Sequence, residues 1–242
     1  MGLGACGSGS PPSITGGQIT AGKVGGQGVW IAAPSRSVRG VVIYVHGYVA
    51  NQTALTAAHR KDLTEALVGA GYVVASDNAH GDAWGDPASQ ADYVALGLRL
   101  IARYHPSKLF VLSESMGGLA GLMLVGRHEL PGITGWAGIL PVVNLRDAAH
   151  RKEFAASIKR AYGSTSLETG DPSQLPASNF AGIPMRVYWS PGDTLVPPAA
   201  QELPFLASVQ HSARVTTVQC HGEHGDPSCY EGPNLVAWID SL

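Results

Sequence analysis

The chain has 242 residues, is 45% apolar and 14% charged, and carries a formal net charge of −2. That is enough apolar material for one sizeable core, at a length that single α/β domains commonly reach. No basic patch or stripe interrupts the near-neutral balance, which argues against a nucleic-acid partner, and the longest apolar runs, such as Val41–Val45 and Leu122–Val125, are far too short to span a bilayer.

Residues 1 to about 28 are Gly-rich and weakly patterned, and read as a tether leading into an early edge strand. The opening MGLGACGSGSPPSITGG lacks a charged segment and an apolar segment, so no complete signal peptide is expected. Leu3-Gly4-Ala5-Cys6 before Gly-Ser-Gly-Ser-Pro-Pro nevertheless resembles the tail of a bacterial lipoprotein signal, with Cys6 as the lipid acceptor. The alternative is a Gly/Ser-rich start with an incidental cysteine.

From there strands and helices alternate. GVWIAAP reads as a strand and Pro34–Arg39 as a turn. GVVIYVHG is a β-branched run of the kind buried on both faces. Helical spacing of Leu55, Leu63, Ala66 and Leu67 predicts a helix over 54–68, stopped by Gly69 and Gly71. YVVASD is the next buried strand. Pro87 opens a helix with Tyr93, Leu96, Leu100 and Ile101 on one face. KLFVLS is a strand, 116–127 a helix and GWAGILP a strand. An amphipathic helix is expected over 147–162, then a Ser/Pro/Gly-rich stretch. MRVYWS and ARVTTVQ are further strands around a helix near 198–211, and a short helix over 235–242 ends the chain. This alternation predicts an α/β fold with a mostly parallel sheet covered by helices on both faces. No repeat or interdomain linker is visible. Residues 29–242 are expected to form one domain, and 142–182 is the one excursion long enough for a small lid or cap.

Ser115 stands at the junction of KLFVLS and the following helix. A serine on so tight a strand-to-helix turn projects its hydroxyl away from the backbone, and the crowded turn needs small neighbours. Here they are Ser113, Gly117 and Gly118. The usual pattern is G-x-S-x-G; Ser113-Glu114-Ser115-Met116-Gly117 departs from it only in the first small residue. The helix N-terminus would also stabilise an oxyanion forming beside Ser115. The competing reading is a plain helix start with Ser115 as N-cap. Ser113 is a second nucleophile candidate, but it is still on the strand.

A serine hydroxyl needs a base, and the base an orienting carboxylate. Of nine histidines, His221 and His224 lie in VQCHGEHGDPS, after the last strand. Asp193 lies at the tip of WSPGDTLVPP, after the preceding one. Both loops follow strand C-termini, on the same sheet edge as Ser115.

With those residues in view, the chain from about 29 to 242 resembles the α/β-hydrolase superfamily. Four landmarks match in order: His46-Gly47 after an early strand, the serine turn, Asp193-x-x-Val196-Pro197, and Gly222-x-His224. The resemblance implies Ser115, Asp193 and His224 as a triad, in that family's chain order, with His221 the second choice of base. It implies an oxyanion hole from the backbone N–H groups of Met116 and Tyr48, with His46 shaping that loop. DNAHGDAWGD resembles the family's Asp-x-x-Gly-His-Gly loop, which gives Asp77, His80 and Asp82 a structural role. HGYVANQ and SMGG resemble the bacterial cutinase and polyester-hydrolase branch.

The function so implied is a serine hydrolase cleaving carboxylic esters through an acyl-enzyme. Amidase or peptidase chemistry on the same fold is one alternative, and a non-catalytic hydrolase-like surface module another. No cofactor is implied. A metal site from His221, His224 and Asp226 lacks a fixed ligand face. The expected partner is a small-molecule or polymeric ester, with no nucleic acid and no transmembrane segment. Cys220 and Cys229 flank the His224 loop and are suited to a bridge, which would add roughly 2–3 kcal/mol in the chain-entropy model; two reduced thiols are the alternative. Cys6 and this pair together favour an extracytoplasmic, secreted or lipid-anchored location over a cytoplasmic one.

Overall fold

The computed structural model describes residues 11–242, so the expectation for Cys6 lies outside the described residues. Eight strands form one sheet in the order β1-β2-β4-β3-β5-β6-β7-β8. β1 (Gly17–Val24) and β2 (Gln27–Pro34) are an antiparallel hairpin. Its turn is Gly25-Gly26, both at positive φ, which is what a two-residue turn matched to strand twist requires. β2 lies antiparallel to β4 (Tyr72–Asp77). β3 (Gly40–Val45), β5 (Leu109–Glu114), β6 (Ile133–Ile139), β7 (Pro184–Trp189) and β8 (Arg214–Gln219) are parallel to one another and to β4.

The inner strands read as continuous apolar runs because both sheet faces are covered. Val41, Ile43 and Val45 point to one face, against Leu96 and Leu100 of α2 (Pro87–Tyr104), Leu122 and Val125 of α3 (Gly117–Gly126), and the side of the sheet that α6 (Glu202–Val209) covers with Phe205 and Val209. Val42 and Tyr44 point to the other, with Leu63 and Leu67 of α1 (His59–Gly69) and Leu235, Trp238 and Ile239 of α7 (Gly232–Asp240). The alternation of successive side chains across a strand produces both cores at once. Asp86 caps α2 by accepting the Ser89 N–H, with Pro87 in the first turn.

A third apolar cluster sits above the C-terminal edge of the sheet. Residues 142–182 supply most of it through α4 (Leu145–His150), α5 (Ala155–Tyr162) and the 3-10 turn Leu167–Gly170, packed on Trp84, Met116 and Leu119.

Three expected boundaries differ. The stretch expected as a tether over 1–28 holds β1 from Gly17, because Gln18-Ile19-Thr20 and Lys23-Val24 pair along β2 despite the flanking glycines. The helix expected over 54–68 is a 3-10 turn, Gln52–Thr56, followed by α1; the chain breaks at Ala58, whose φ is +44°. No Gly or Pro marks that break, so side-chain spacing alone runs through it. The helix expected over 147–162 divides into α4 and α5 because Arg151 is extended, which turns Phe154 into the third cluster.

Candidate active site

Ser115 follows β5 directly and has φ +49°, a left-handed conformation rare for a residue with a Cβ. Its neighbours hold it there. The Ser115 N–H donates to the Ile139 carbonyl at 3.0 Å, and its own carbonyl accepts from Gly118 N–H at 2.9 Å and Val142 N–H at 2.8 Å. The glycine pair is a packing requirement. A Cβ on Gly117 would press on the His46 carbonyl oxygen at 2.7 Å, and one on Gly118 on Pro141 Cβ at 2.8 Å. Only without those atoms can α3 start this close to β3 and β6.

The Ser115 hydroxyl lies 2.8 Å from His224 Nε2, and His224 Nδ1 lies 2.6 Å from Asp193 Oδ2. Asp193 is buried after β7, and its other oxygen accepts the Val196 N–H at 2.8 Å. His224 is carried by the loop after β8. That loop is braced twice to the Asp193 loop: Ser190 Oγ–H donates to the Gly222 carbonyl at 2.6 Å, and Thr194 Oγ1–H donates to Glu223 Oε2 at 2.8 Å. Cys220 and Cys229 are bridged at its base, with Cα atoms 5.2 Å apart. His221 is exposed, outside this line, and its N–H donates to Ser228 Oγ.

Gly47 packs on Ser115; an added Cβ would stand 3.3 Å from Ser115 Cβ. The next amide, that of Tyr48, and the amide of Met116 find no protein acceptor among the described residues. Val49 follows at φ +58°, fixed by its N–H donating to Asp82 Oδ1 at 2.7 Å. The His46 ring spans the Gly47 and Asn78 carbonyls, at 2.9 and 3.1 Å. It therefore shapes this loop and does not reach Ser115. The Tyr48 ring packs with Trp84 and Phe154, centroids 5.2 and 5.9 Å away.

Two neighbouring carboxyls had no distinct sequence signal. Glu114, next to Ser115, accepts from Arg60, Tyr44 and Tyr230. Burial would raise its carboxyl, but the Arg60 guanidinium and the two hydroxyls outweigh burial and hold it below the usual range. Glu202, at the start of α6, is pushed up to about 8 by burial, with the Asp193 charge adding to the rise. The partners of Glu114 are up to 116 residues away, beyond the reach of any local motif.

Asp77 stays beneath the site. Its Oδ1 accepts the Ala79 N–H at 2.8 Å, and burial pushes its carboxyl up to about 7. His80 Nδ1 pairs with Asp92 Oδ2 at 2.6 Å, away from Ser115. Ser113 is fully buried. Among the described residues no three His, Cys, Asp or Glu side chains converge as a metal would need, and no helix is long and apolar enough to cross a membrane.

No protein-family model and no curated protein matches the sequence. Solved structures do match the fold. The esterase Pf2001 of Pyrococcus furiosus superposes with a TM-score of 0.70 at 18% identity, over 96% of this chain and 99% of that one. An esterase/lipase from an uncultured bacterium gives 0.67 at 14%, over 96% and 85%. The Staphylococcus aureus fluorophosphonate-binding serine hydrolase FphF gives 0.66 at 12%, over 89% and 91%. At these identities the likeness is one of architecture: the chain has the α/β-hydrolase fold.

Proposed function

We propose that this chain is a serine hydrolase acting on carboxylic esters, with Ser115 as nucleophile, His224 as base and Asp193 as its orienter. The observation that carries this reading is the unbroken hydrogen-bonded line from Ser115 Oγ through both ring nitrogens of His224 to Asp193, beside two amides without acceptors among the described residues. Esterases and a serine hydrolase among proteins of the same fold support it.

In this mechanism Ser115 Oγ attacks the ester carbonyl carbon while His224 Nε2 takes its proton. Asp193 keeps Nδ1 protonated and stabilises the imidazolium that forms. The carbonyl electron pair moves onto oxygen, where the Met116 and Tyr48 N–H groups receive it. Collapse of the tetrahedral intermediate breaks the bond to the alcohol, which leaves with the proton from His224. Water, deprotonated by His224, then attacks the acyl-Ser115 ester and releases the carboxylic acid.

Exposed Val49, on the Tyr48 loop, and Leu195, next but one to Asp193, give the loops around the site an apolar edge, which suits esters with apolar parts. The Cys220–Cys229 bridge supports a location outside reducing compartments. A fluorophosphonate probe tests the core of the reading. Labelling is expected in the parent chain and not in Ser115→Ala. Paired acyl-nitrophenol and acyl-nitroanilide substrates then separate esters from amides, with turnover expected for the first. A folded parent chain that takes no label would instead indicate a non-catalytic module.

A further inference from the structure

Glu114 takes no part in that mechanism, yet its burial calls for a reason. Its side chain is 4% exposed. A carboxylate out of water costs several kcal/mol unless its lone pairs are fully met, and a packed apolar side chain would carry no such cost. Here they are fully met. Oε2 accepts from Arg60 Nε at 2.7 Å and from Tyr44 Oη, and Oε1 accepts from Arg60 Nη2 and from Tyr230 Oη at 2.7 Å. Arg60 also lies over the Tyr230 ring, 5.5 Å from its centroid.

The donors come from separate parts of the chain: Arg60 reaches in from α1, while Tyr44, Tyr230 and Glu114 itself adjoin three different loops of the site. Glu114 itself precedes Ser115. Tyr44 lies near the end of β3, from which the chain runs through Val45, His46 and Gly47 to the Tyr48 amide. Tyr230 follows Cys229, the closing half of the bridge below His224. The carboxylate also lies beneath the Tyr48 loop: a Cβ on Gly47 would stand 3.7 Å from Glu114 Oε1.

We propose that Glu114, clamped by Arg60, is a positioning residue: one buried carboxylate that sets the spacing between the nucleophile turn, the Tyr48 loop and the His224 loop. This rests on the proposed ester hydrolysis. Charge-assisted hydrogen bonds are short and directional, so the node fixes three loops that have no strand pairing with one another at the point of reaction. A glutamine keeps the shape of Glu114 but turns one oxygen into a donor, facing two donors already there. Displacing a reacting group by about 1 Å can cost on the order of a hundredfold in rate.

The test is steady-state hydrolysis of p-nitrophenyl acetate by the full chain. Each variant is assayed at the same margin below its own Tm, with near-UV circular dichroism to establish folding. Tyr230→Phe and Tyr44→Phe each delete one hydroxyl and are expected to lower kcat by about fivefold or more, with KM within about twofold. Glu114→Gln is expected to lower kcat by more than either, and adding Tyr230→Phe to it should cost little further. Fluorophosphonate inactivation should slow in step with kcat. If Glu114→Gln does not fold, the two tyrosine variants decide alone. Folded tyrosine variants that keep the parent kcat, or recover it once assayed at the same margin below Tm, overturn the node. Should Ser115→Ala retain activity, the hydrolase reading falls and the node with it; an inactive Ser115→Ala beside fully active tyrosine variants overturns the node alone.

Discussion

Ser113 and Gly121 contend for the same space: a Cβ on Gly121 would collide with Ser113 Oγ, and that hydroxyl accepts the Trp136 Nε1–H at 3.0 Å. The serine standing where the G-x-S-x-G pattern has glycine is therefore part of the core beneath the turn. Its hydroxyl is committed to Trp136. In Ser113→Ala the buried indole N–H loses its acceptor, at a cost of about 1–3 kcal/mol. Urea unfolding should show that loss, while fluorophosphonate labelling persists at Ser115. Labelling that disappears with the Ser113 hydroxyl would make Ser113 the nucleophile instead. Gly121→Ala forces the collision directly and should destabilise more than Ser113→Ala does.

Asp193 makes two contacts, and they can be separated. Oδ1 accepts the Val196 N–H and Oδ2 faces His224 Nδ1. Asp193→Asn retains a carbonyl oxygen for Val196 but places an amide N–H against the imidazole. That favours the tautomer with the proton on Nε2, which cannot accept from Ser115. The expected result is a fall in kcat/KM of about 10³–10⁴ with little change in Tm, by analogy with other triads of this geometry. A variant within tenfold of the parent would remove Asp193 from the proposed mechanism.

The bridge at the base of the His224 loop has a kinetic reading as well as a thermodynamic one. In the chain-entropy model a loop of this length adds about 2–3 kcal/mol. Between the cysteines run Gly222 and Gly225, both at positive φ, so the open chain has wide freedom there. Replacing both cysteines by serine should lower stability by that order. It should also lower kcat more than it raises KM, since the imidazole and not the bound ester loses its hold. Equal kcat in the bridged and unbridged chains at a temperature where both are folded would leave the bridge a purely stabilising role.

The strands and the three loops of the site were legible because their signals are local. GVVIYV, YVVASD and LFVLSE are apolar runs that only a doubly covered sheet accommodates, and each becomes a strand. Ser115 and Asp193 follow β5 and β7, and His224 follows the more exposed edge strand β8, so the parallel order of these three strands delivers them to one edge. What stayed hidden depends on distant partners. Ala58 and Arg151 break helices without Gly or Pro, shortly before Arg60 reaches Glu114 and Phe154 packs on Trp84. β1 stayed hidden because its pairing partner β2, and not its own composition, makes Gly17–Val24 a strand. The buried acids Glu114 and Glu202 read as ordinary polar positions; only burial gives them a distinct chemistry.

Glu202 supplies a prediction in pH. The residue is 1% exposed, Oε2 has no hydrogen-bond partner among the described residues, and burial, aided by the Asp193 charge, pushes its carboxyl up to about 8 from an unfolded value of 4.5. Below pH 4.5 both states carry the proton and the group is neutral to stability. Between 4.5 and 8 the folded chain holds a proton that the unfolded chain has released, so stability falls as pH rises. Above 8 both have lost it and the slope ends. At 1.36 kcal/mol per pH unit the full loss is roughly 4–5 kcal/mol. Asp77, raised to about 7, adds a slope of the same sign that ends nearer pH 7, so the parent curve alone does not isolate Glu202. Glu202→Gln does: it fills the same space and cannot ionise. Urea midpoints taken from pH 4 to pH 9 should match between parent and variant at the acid end and diverge above pH 5. By pH 9 the variant should be the more stable by a few kcal/mol. Parallel curves across that window would mean that the Glu202 carboxyl ionises in the folded chain as it does in water, through an opening near α6 that admits solvent.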